Sequence, residues 1–170
     1  HPLALFVFGP YFRRLAQNER SLYAFLGSTE PSSFRFFLEE STLGEDGSVP
    51  LYGLPQLYDF IQTTLGPTLL GGVAGRNWIL VEETLSRLGD EAPLLDINLI
   101  KSIGLISALG NQINLKADAP TLALALDLPP DQVNESLQRL SNRKLIVFRH
   151  FAGTYRLWEG SDFDLETQLT

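Results

Sequence analysis

The chain has 170 residues, of which 44% are hydrophobic and 19% are charged, so it can bury a core and is not expected to be disordered. It contains no cysteine, which excludes disulfides, thiolate metal sites and a cysteine nucleophile and fits a cytoplasmic protein. No apolar run approaches the ~20 residues that a membrane-spanning helix needs, so no membrane partner is expected.

The first 94 residues show the spacing of apolar side chains that is typical of helices. Four helices are expected to begin at or near residues that favour a helix start: Pro2, Asn18, Pro31 and Pro55. Gly27 and the pair Gly66-Pro67 are expected to end two of them, and residues 43–53 form the best predicted loop. A longer helix, ending at Gly89, is predicted to bury one stripe: Trp78, Val81, Leu85 and Leu88.

From residue 95 the pattern changes. A helix rich in leucine and isoleucine is expected to end at Gly110, and Ile113 and Leu115 then alternate with polar residues as a short strand would. Asp118 is predicted to cap a second helix, and Pro130 to open a third. The third helix is expected to bury one stripe: Val133, Leu137 and Leu140.

Two β-rich runs follow the third helix. Residues 145–150 and 154–158 are predicted to pair as a hairpin joined by residues 151–153. Helix, short strand, helix, turn, helix and hairpin is the order of a winged helix-turn-helix module. The alternative is a helical domain with a terminal hairpin, which has the same elements in a different packing.

The predicted fold class is therefore mainly α. Residues 1–94 are expected to form a helical N-terminal bundle, and residues 95–160 a winged helix-turn-helix with a two-stranded wing. Residues 161–170 are expected to be the start of a truncated helix, which favours a fragment of a longer protein.

We find no sequence pattern of a catalytic, cofactor-binding or metal site. The glycines at 71, 72 and 75 are not followed by the lysine and hydroxyl residue of a phosphate loop. His1 and His150 are far apart and lack a neighbouring carboxylate motif, so they are a poor metal pair. The pairs Glu39-Glu40 and Glu82-Glu83 are sequence neighbours and do not share a helix face, which favours solvated surface.

The third helix reads DNA in many winged-helix proteins, so its outward side carries the candidate contact residues. The candidates for contact with DNA or with a partner are Gln132, Ser136, Arg139, Asn142 and Arg143, with Arg149 and Arg156 beside the wing. However, Asp131 and Glu135 occupy the first turns of that helix, where they would approach phosphates unfavourably. This pattern favours protein contact over DNA contact.

Arg20 belongs to the densest polar group in the first half, residues 17–21. One interpretation is a surface corner between two helices, where each ion pair is worth little. The other is a docking surface, or an arginine that reaches a nucleotide held elsewhere.

The segments His1-Pro2, Ala16–Leu26 and Tyr155–Asp162 carry a family resemblance. They are similar to the region after the nucleotide-binding core in large bacterial P-loop ATPases that are related to the AAA+ and STAND groups. The resemblance implies that residues 1–94 are a lid, that residues 95–160 are a winged helix, and that Arg20 lies near a nucleotide or subunit boundary. The family's phosphate loop and magnesium-binding carboxylate are absent from this sequence, so neither tight ATP binding nor hydrolysis is expected.

The sequence therefore predicts a non-catalytic, cofactor-free regulatory or interaction fragment of a larger bacterial P-loop NTPase. Its winged helix would contact protein, and its partners would be other domains or subunits of the parent NTPase. The alternative is a DNA-binding winged-helix transcriptional regulator.

Overall fold

A computed structural model describes residues 1–14, 19–69, 72–109 and 114–160. Within these ranges the chain forms eight helices and one two-stranded antiparallel sheet. The helices, in chain order, are α1 (Pro2–Arg14), α2 (Glu19–Gly27), α3 (Phe34–Glu40), α4 (Leu54–Leu69), α5 (Gly72–Leu88), α6 (Leu94–Leu109), α7 (Ala119–Leu126) and α8 (Pro130–Asn142). The strands are β1 (Ile146–Arg149) and β2 (Thr154–Leu157). The protein is thus mainly helical, as the sequence predicts.

Several predicted helix ends are confirmed. Helix α2 ends at Gly27, and the amide of Gly89 donates to the Leu85 carbonyl at 3.2 Å after α5, with a φ of +93° that suits glycine. The Asp118 carboxylate accepts from the Thr121 amide at 2.8 Å and so caps α7. Helix α8 begins at Pro130, as predicted.

Two predicted helix ends are wrong. Helix α3 begins at Phe34 rather than Pro31, because the Ser33 hydroxyl accepts from the Phe36 amide at 3.1 Å and sets the first turn. The pair Gly66-Pro67 lies inside α4 and does not end it. A proline removes one backbone donor, and the buried first turns of α4 stabilise a helix that carries this loss near its end.

The predicted short strand at Ile113 and Leu115 is not formed at Leu115, which belongs to no strand. Two residues later the backbone meets β2, where Ala117 accepts from the Tyr155 amide at 2.8 Å and donates to the Thr154 hydroxyl at 3.1 Å. A side chain thus replaces one backbone partner, so no regular ladder forms. Ile113, Gly110 and Asn18 lie outside the described residues.

The predicted hairpin is confirmed, with slightly shorter strands. Ile146 pairs with Leu157 and Arg149 with Thr154 in antiparallel register. Residues 150–153 connect the strands, and Gly153 has a φ of +62°. The amide of Trp158 donates to the Leu145 carbonyl at 3.0 Å, which continues the pairing beyond β1 and β2.

The core is continuous across the predicted domain boundary at residue 94. Helix α6 packs against α1, α4 and α5 from the first half of the chain and against α7, α8 and β2 from the second. Its buried residues belong to the same hydrophobic cluster as Tyr58 and Trp78 from the first half and Val133 and Leu157 from the second. The division into two domains stays a prediction, but the two parts share α6.

An aromatic cluster around Phe25 holds the N-terminal helices together. The Phe25 ring meets four neighbours at centroid distances of 4.6 to 5.9 Å: Phe8, Phe34, Tyr52 and Phe60. The Tyr52 hydroxyl donates to the carbonyls of Ser32 and Gln56, so the ring is anchored at its polar end. The cluster therefore connects α1, α2, α3 and α4.

Candidate interaction surface

Helix α8 presents one buried and one exposed face. Val133, Leu137 and Leu140 are at most 1% exposed, which confirms the predicted inward stripe. The exposed side chains include Gln132, Glu135, Gln138 and Asn142. This amphipathic pattern leaves the outward face of α8 as the first place to look for a contact site.

The prediction that Ser136 faces outward is wrong. Ser136 is fully buried, and its hydroxyl donates to a carboxylate oxygen of Asp96 in the first turn of α6. Arg139 donates to the same carboxylate, from Nε at 2.9 Å and from Nη2 at 2.5 Å. The two donors lie one turn apart on α8, so they meet a single carboxylate together. They fix α8 to the start of α6.

Asp96 is buried, and its carboxyl group is nevertheless ionised. Burial alone raises the pKa of its carboxyl group, but the hydrogen bonds from Arg139 and Ser136, and the charges of Arg139 and Arg143, hold it below its ordinary value. The same interaction raises the pKa of Arg139. Asp96 and Arg139 therefore form a charged pair in which only the arginine reaches solvent, its side chain being 45% exposed.

Arg143 is also engaged inside the molecule. Its Nη2 donates to the carbonyls of Leu88 at 3.0 Å and Arg87 at 3.3 Å, at the C-terminal end of α5. In return, Arg87 donates to the Lys144 carbonyl at 3.0 Å. A cation is favoured where a helix ends in unpaired carbonyls. These bonds fasten the ends of α5 and α8 to each other.

The other predicted contact residues remain at the surface to different degrees. Gln132 and Asn142 are exposed on α8, and Arg156 is exposed on β2. Arg149 is half-buried on β1. Arg20 lies in α2, but its side chain is outside the described residues, so the prediction for it stays open.

Asp96 was missed from the sequence as a functional residue. Its signal is a lone carboxylate at the start of an otherwise apolar helix, among Leu94, Leu95 and Ile97. Its partners on α8 lie 40 and 43 positions away, so spacing alone does not reveal the network.

Large apolar side chains are exposed on the first helices. Leu5 and Phe6 of α1 are 72% and 63% exposed, and Tyr23 of α2 is 73% exposed. Leu22 and Leu26, four residues apart on α2, are also exposed. Five of the thirteen large apolar side chains that are exposed among the described residues therefore lie on α1 and α2.

Comparison of the chain with protein-family models, with curated proteins and with solved structures gives no match. Among the described residues, no group of three or more histidine or acidic side chains is placed to hold a metal ion. Within the same ranges, none of the helices combines the length and apolar character needed to cross a membrane.

Proposed function

We propose that the chain is a non-catalytic regulatory and interaction module of a larger cytoplasmic P-loop NTPase. In this proposal residues 95–160 fold as a winged helix that contacts protein, either another domain or another subunit. The family resemblance of the segments 1–2, 16–26 and 155–162 supplies the NTPase context. Residues 1–94 would then be the lid, with Arg20 of α2 near a nucleotide or subunit boundary.

The packing of residues 95–160 supports the winged-helix assignment. Helices α6, α7 and α8 contact one another, and the hairpin contacts both α8 and α6. The backbone around Ala117 lies beside β2, where the first short strand of a winged helix pairs with the wing. A helical domain with an unrelated terminal hairpin would not need these contacts.

One observation favours a protein partner over DNA: three polar side chains of α8 are already bonded within the molecule. Ser136, Arg139 and Arg143 contact Asp96 and the end of α5. What α8 exposes in its first turns includes the carboxylates of Asp131 and Glu135. A DNA-reading helix needs cations to meet the phosphates on either side of the groove, and here carboxylates take their place.

The exposed apolar side chains of α1 and α2 are consistent with the same function. Leu5, Phe6 and Tyr23 would be covered when the lid meets its neighbours in the parent NTPase. A change of nucleotide state would move the lid, and the shared helix α6 would transmit the movement to the winged helix.

The test is a fluorescence anisotropy titration of labelled duplex DNA from ~50 to ~200 mM salt, the range in which phosphate-contacting complexes weaken steeply. We expect no binding by the natural chain even at the lowest salt. The matched variant Asp131→Lys/Glu135→Lys should gain weak binding that salt abolishes, which shows that the assay can detect it. Salt-sensitive binding by the natural chain would establish the DNA-binding regulator instead.

A second assay tests the non-catalytic part of the proposal. ATP incubated with the purified chain should be hydrolysed no faster than ATP with buffer alone. Turnover that survives repurification and scales with chain concentration would refute this part.

A further inference from the structure

A pocket lies beside the wing, between the C-terminal part of α6, the segment 114–116 and β2. Its volume is about 160 Å³, several times the ~30 Å³ that one water molecule occupies in the liquid. Lys116 and Arg156 both line it, 40 positions apart in the sequence. The backbone contacts of Ala117 with Thr154 and Tyr155 bring the two cations to the same place.

Both cations are available for a ligand. Lys116 and Arg156 are exposed, and neither forms an ion pair or side-chain hydrogen bond within the described parts of the chain. The pocket is also lined by the polar side chains of Ser107 and Asn114, and none of its described lining residues is acidic. Glu159 lines a smaller neighbouring cavity that Arg156 shares, but it forms no ion pair with Arg156.

Among the described residues, the pocket brings together two cations that form no ion pair, and no carboxylate lines it, in a chain of net charge −7. A guanidinium and an ammonium group together suit an oxyanion, since one offers a planar pair of donors and the other a point charge. The volume of the pocket is large enough to admit a carboxylate group. A DNA backbone instead needs a row of cations, and the described lining of this pocket supplies two.

We propose that this pocket binds the carboxylate of an aspartate or glutamate side chain of the partner protein. The inference rests on the proposed function, because it assumes a protein partner at the winged helix. Lys116 and Arg156 bind the two carboxylate oxygens, and Ser107 and Asn114 supply further donors at the rim. The pocket thereby selects an acidic residue on the partner.

The experiment is an NMR titration of the isotope-labelled chain at constant ionic strength. The probes are an acetylated Gly-Glu-Glu-Gly peptide, the neutral Gly-Gln-Gln-Gly peptide and inorganic phosphate. We expect the glutamate peptide to shift the amides of Lys116, Thr154 and Arg156 in a saturable manner, and the glutamine peptide to leave them unchanged. The variant Lys116→Gln/Arg156→Gln should bind about tenfold more weakly, from the loss of two exposed charge contacts.

Lys144→Gln is the matched control, because it removes an exposed cation that does not line the pocket. It should change the affinity by less than about twofold, and its spectrum, like that of the double variant, should show a folded protein. Equal losses in the double variant and in Lys144→Gln would mean attraction by overall charge and would overturn the proposal. Saturable shifts with phosphate but not with the glutamate peptide would overturn it too.

The failure of this inference and of the proposed function can be told apart. If neither the glutamate peptide nor DNA binds, the carboxylate pocket is wrong while the protein-contact module stands. If DNA binds and Lys116→Gln/Arg156→Gln abolishes that binding, both proposals are wrong.

Discussion

Asp96 is a buried carboxylate that three hydrogen bonds keep charged. Two come from Arg139 and one from Ser136, so both carboxylate oxygens are satisfied without water. Removing one partner of a buried ion pair costs far more than removing an exposed pair, because the remaining charge is left in a poorly solvating environment. The Asp96 contacts therefore help to fix the position of α8 against α6.

The first prediction concerns the pH dependence of this contact. The pKa of Asp96 is lower in the folded protein than in the unfolded chain, so its stabilisation is fully present above the unfolded value of about 3.9. It is lost as the pH falls through the lower, folded value. The isosteric variant Asp96→Asn should thus lower the free energy of unfolding by about 2 kcal/mol at pH 7.

The difference in the free energy of unfolding between the natural chain and Asp96→Asn should shrink as the pH falls below about 4. Urea unfolding of the natural chain and of Asp96→Asn at a series of pH values from 3 to about 7 measures this. Comparing the two proteins removes the contribution of the other carboxylates. A difference that stays constant down to pH 3 would show that Asp96 is not the titrating group.

At the scale of elements, the helix ends that the sequence predicts are those set by short-range chemistry. Asp118 caps α7 through an amide three positions away, and Gly89 follows α5 with a positive φ. In both cases the residues that set the helix boundary lie within one helical turn of each other in the sequence. The hairpin is equally local, since β1 and β2 are joined by four residues.

The features that sequence reasoning missed depend on distant partners. Gly66-Pro67 looks like a helix end, yet burial of Leu57, Phe60 and Ile61 stabilises α4 strongly enough for it to continue. The sequence predicts that Ser136 lies on the exposed face of α8, because it does not show that Asp96, 40 positions earlier, lies beside it. For the same reason, only the paired backbone around Ala117 reveals that Lys116 and Arg156 line one pocket.

A second prediction belongs to the packing of α5 against α6. A Cβ atom on Gly104 would overlap a methyl group of Val81 and lie 3.7 Å from Leu157. Gly104→Ala gains about 1 kcal/mol of helix propensity, but the overpacking costs about 1–3 kcal/mol in a tight core. We expect a net loss of about 1 kcal/mol in the free energy of unfolding.

The control for Gly104→Ala is a double-mutant cycle with Val81→Ala, which removes the methyl groups that a new Cβ would meet. The double variant should lose less stability than the sum of the two single variants, by at least about 0.5 kcal/mol. Strictly additive losses in urea unfolding would show that α5 and α6 are not in close contact at Gly104.

At the scale of the whole molecule, α6 and the end of α8 connect the two halves. Helix α6 packs on both, and Arg143 and Arg87 exchange hydrogen bonds between the ends of α8 and α5. Movement of the N-terminal helices should consequently reach residues 95–160 through direct contacts. Among the described residues, the exposed face of α8, the hairpin and several apolar side chains of α1 and α2 lie at the surface.

The most direct test of this account compares two pairs of cations by urea unfolding at neutral pH. Arg139→Gln/Arg143→Gln removes the pair that contacts Asp96 and the end of α5, whereas Lys116→Gln/Arg156→Gln removes an exposed pair that forms no ion pair with the described residues. We predict that the first variant loses at least about 2 kcal/mol in the free energy of unfolding. The second should stay within about 0.5 kcal/mol of the natural chain. Equally small losses in both would contradict the account, because the α8 arginines would then be free to bind a ligand.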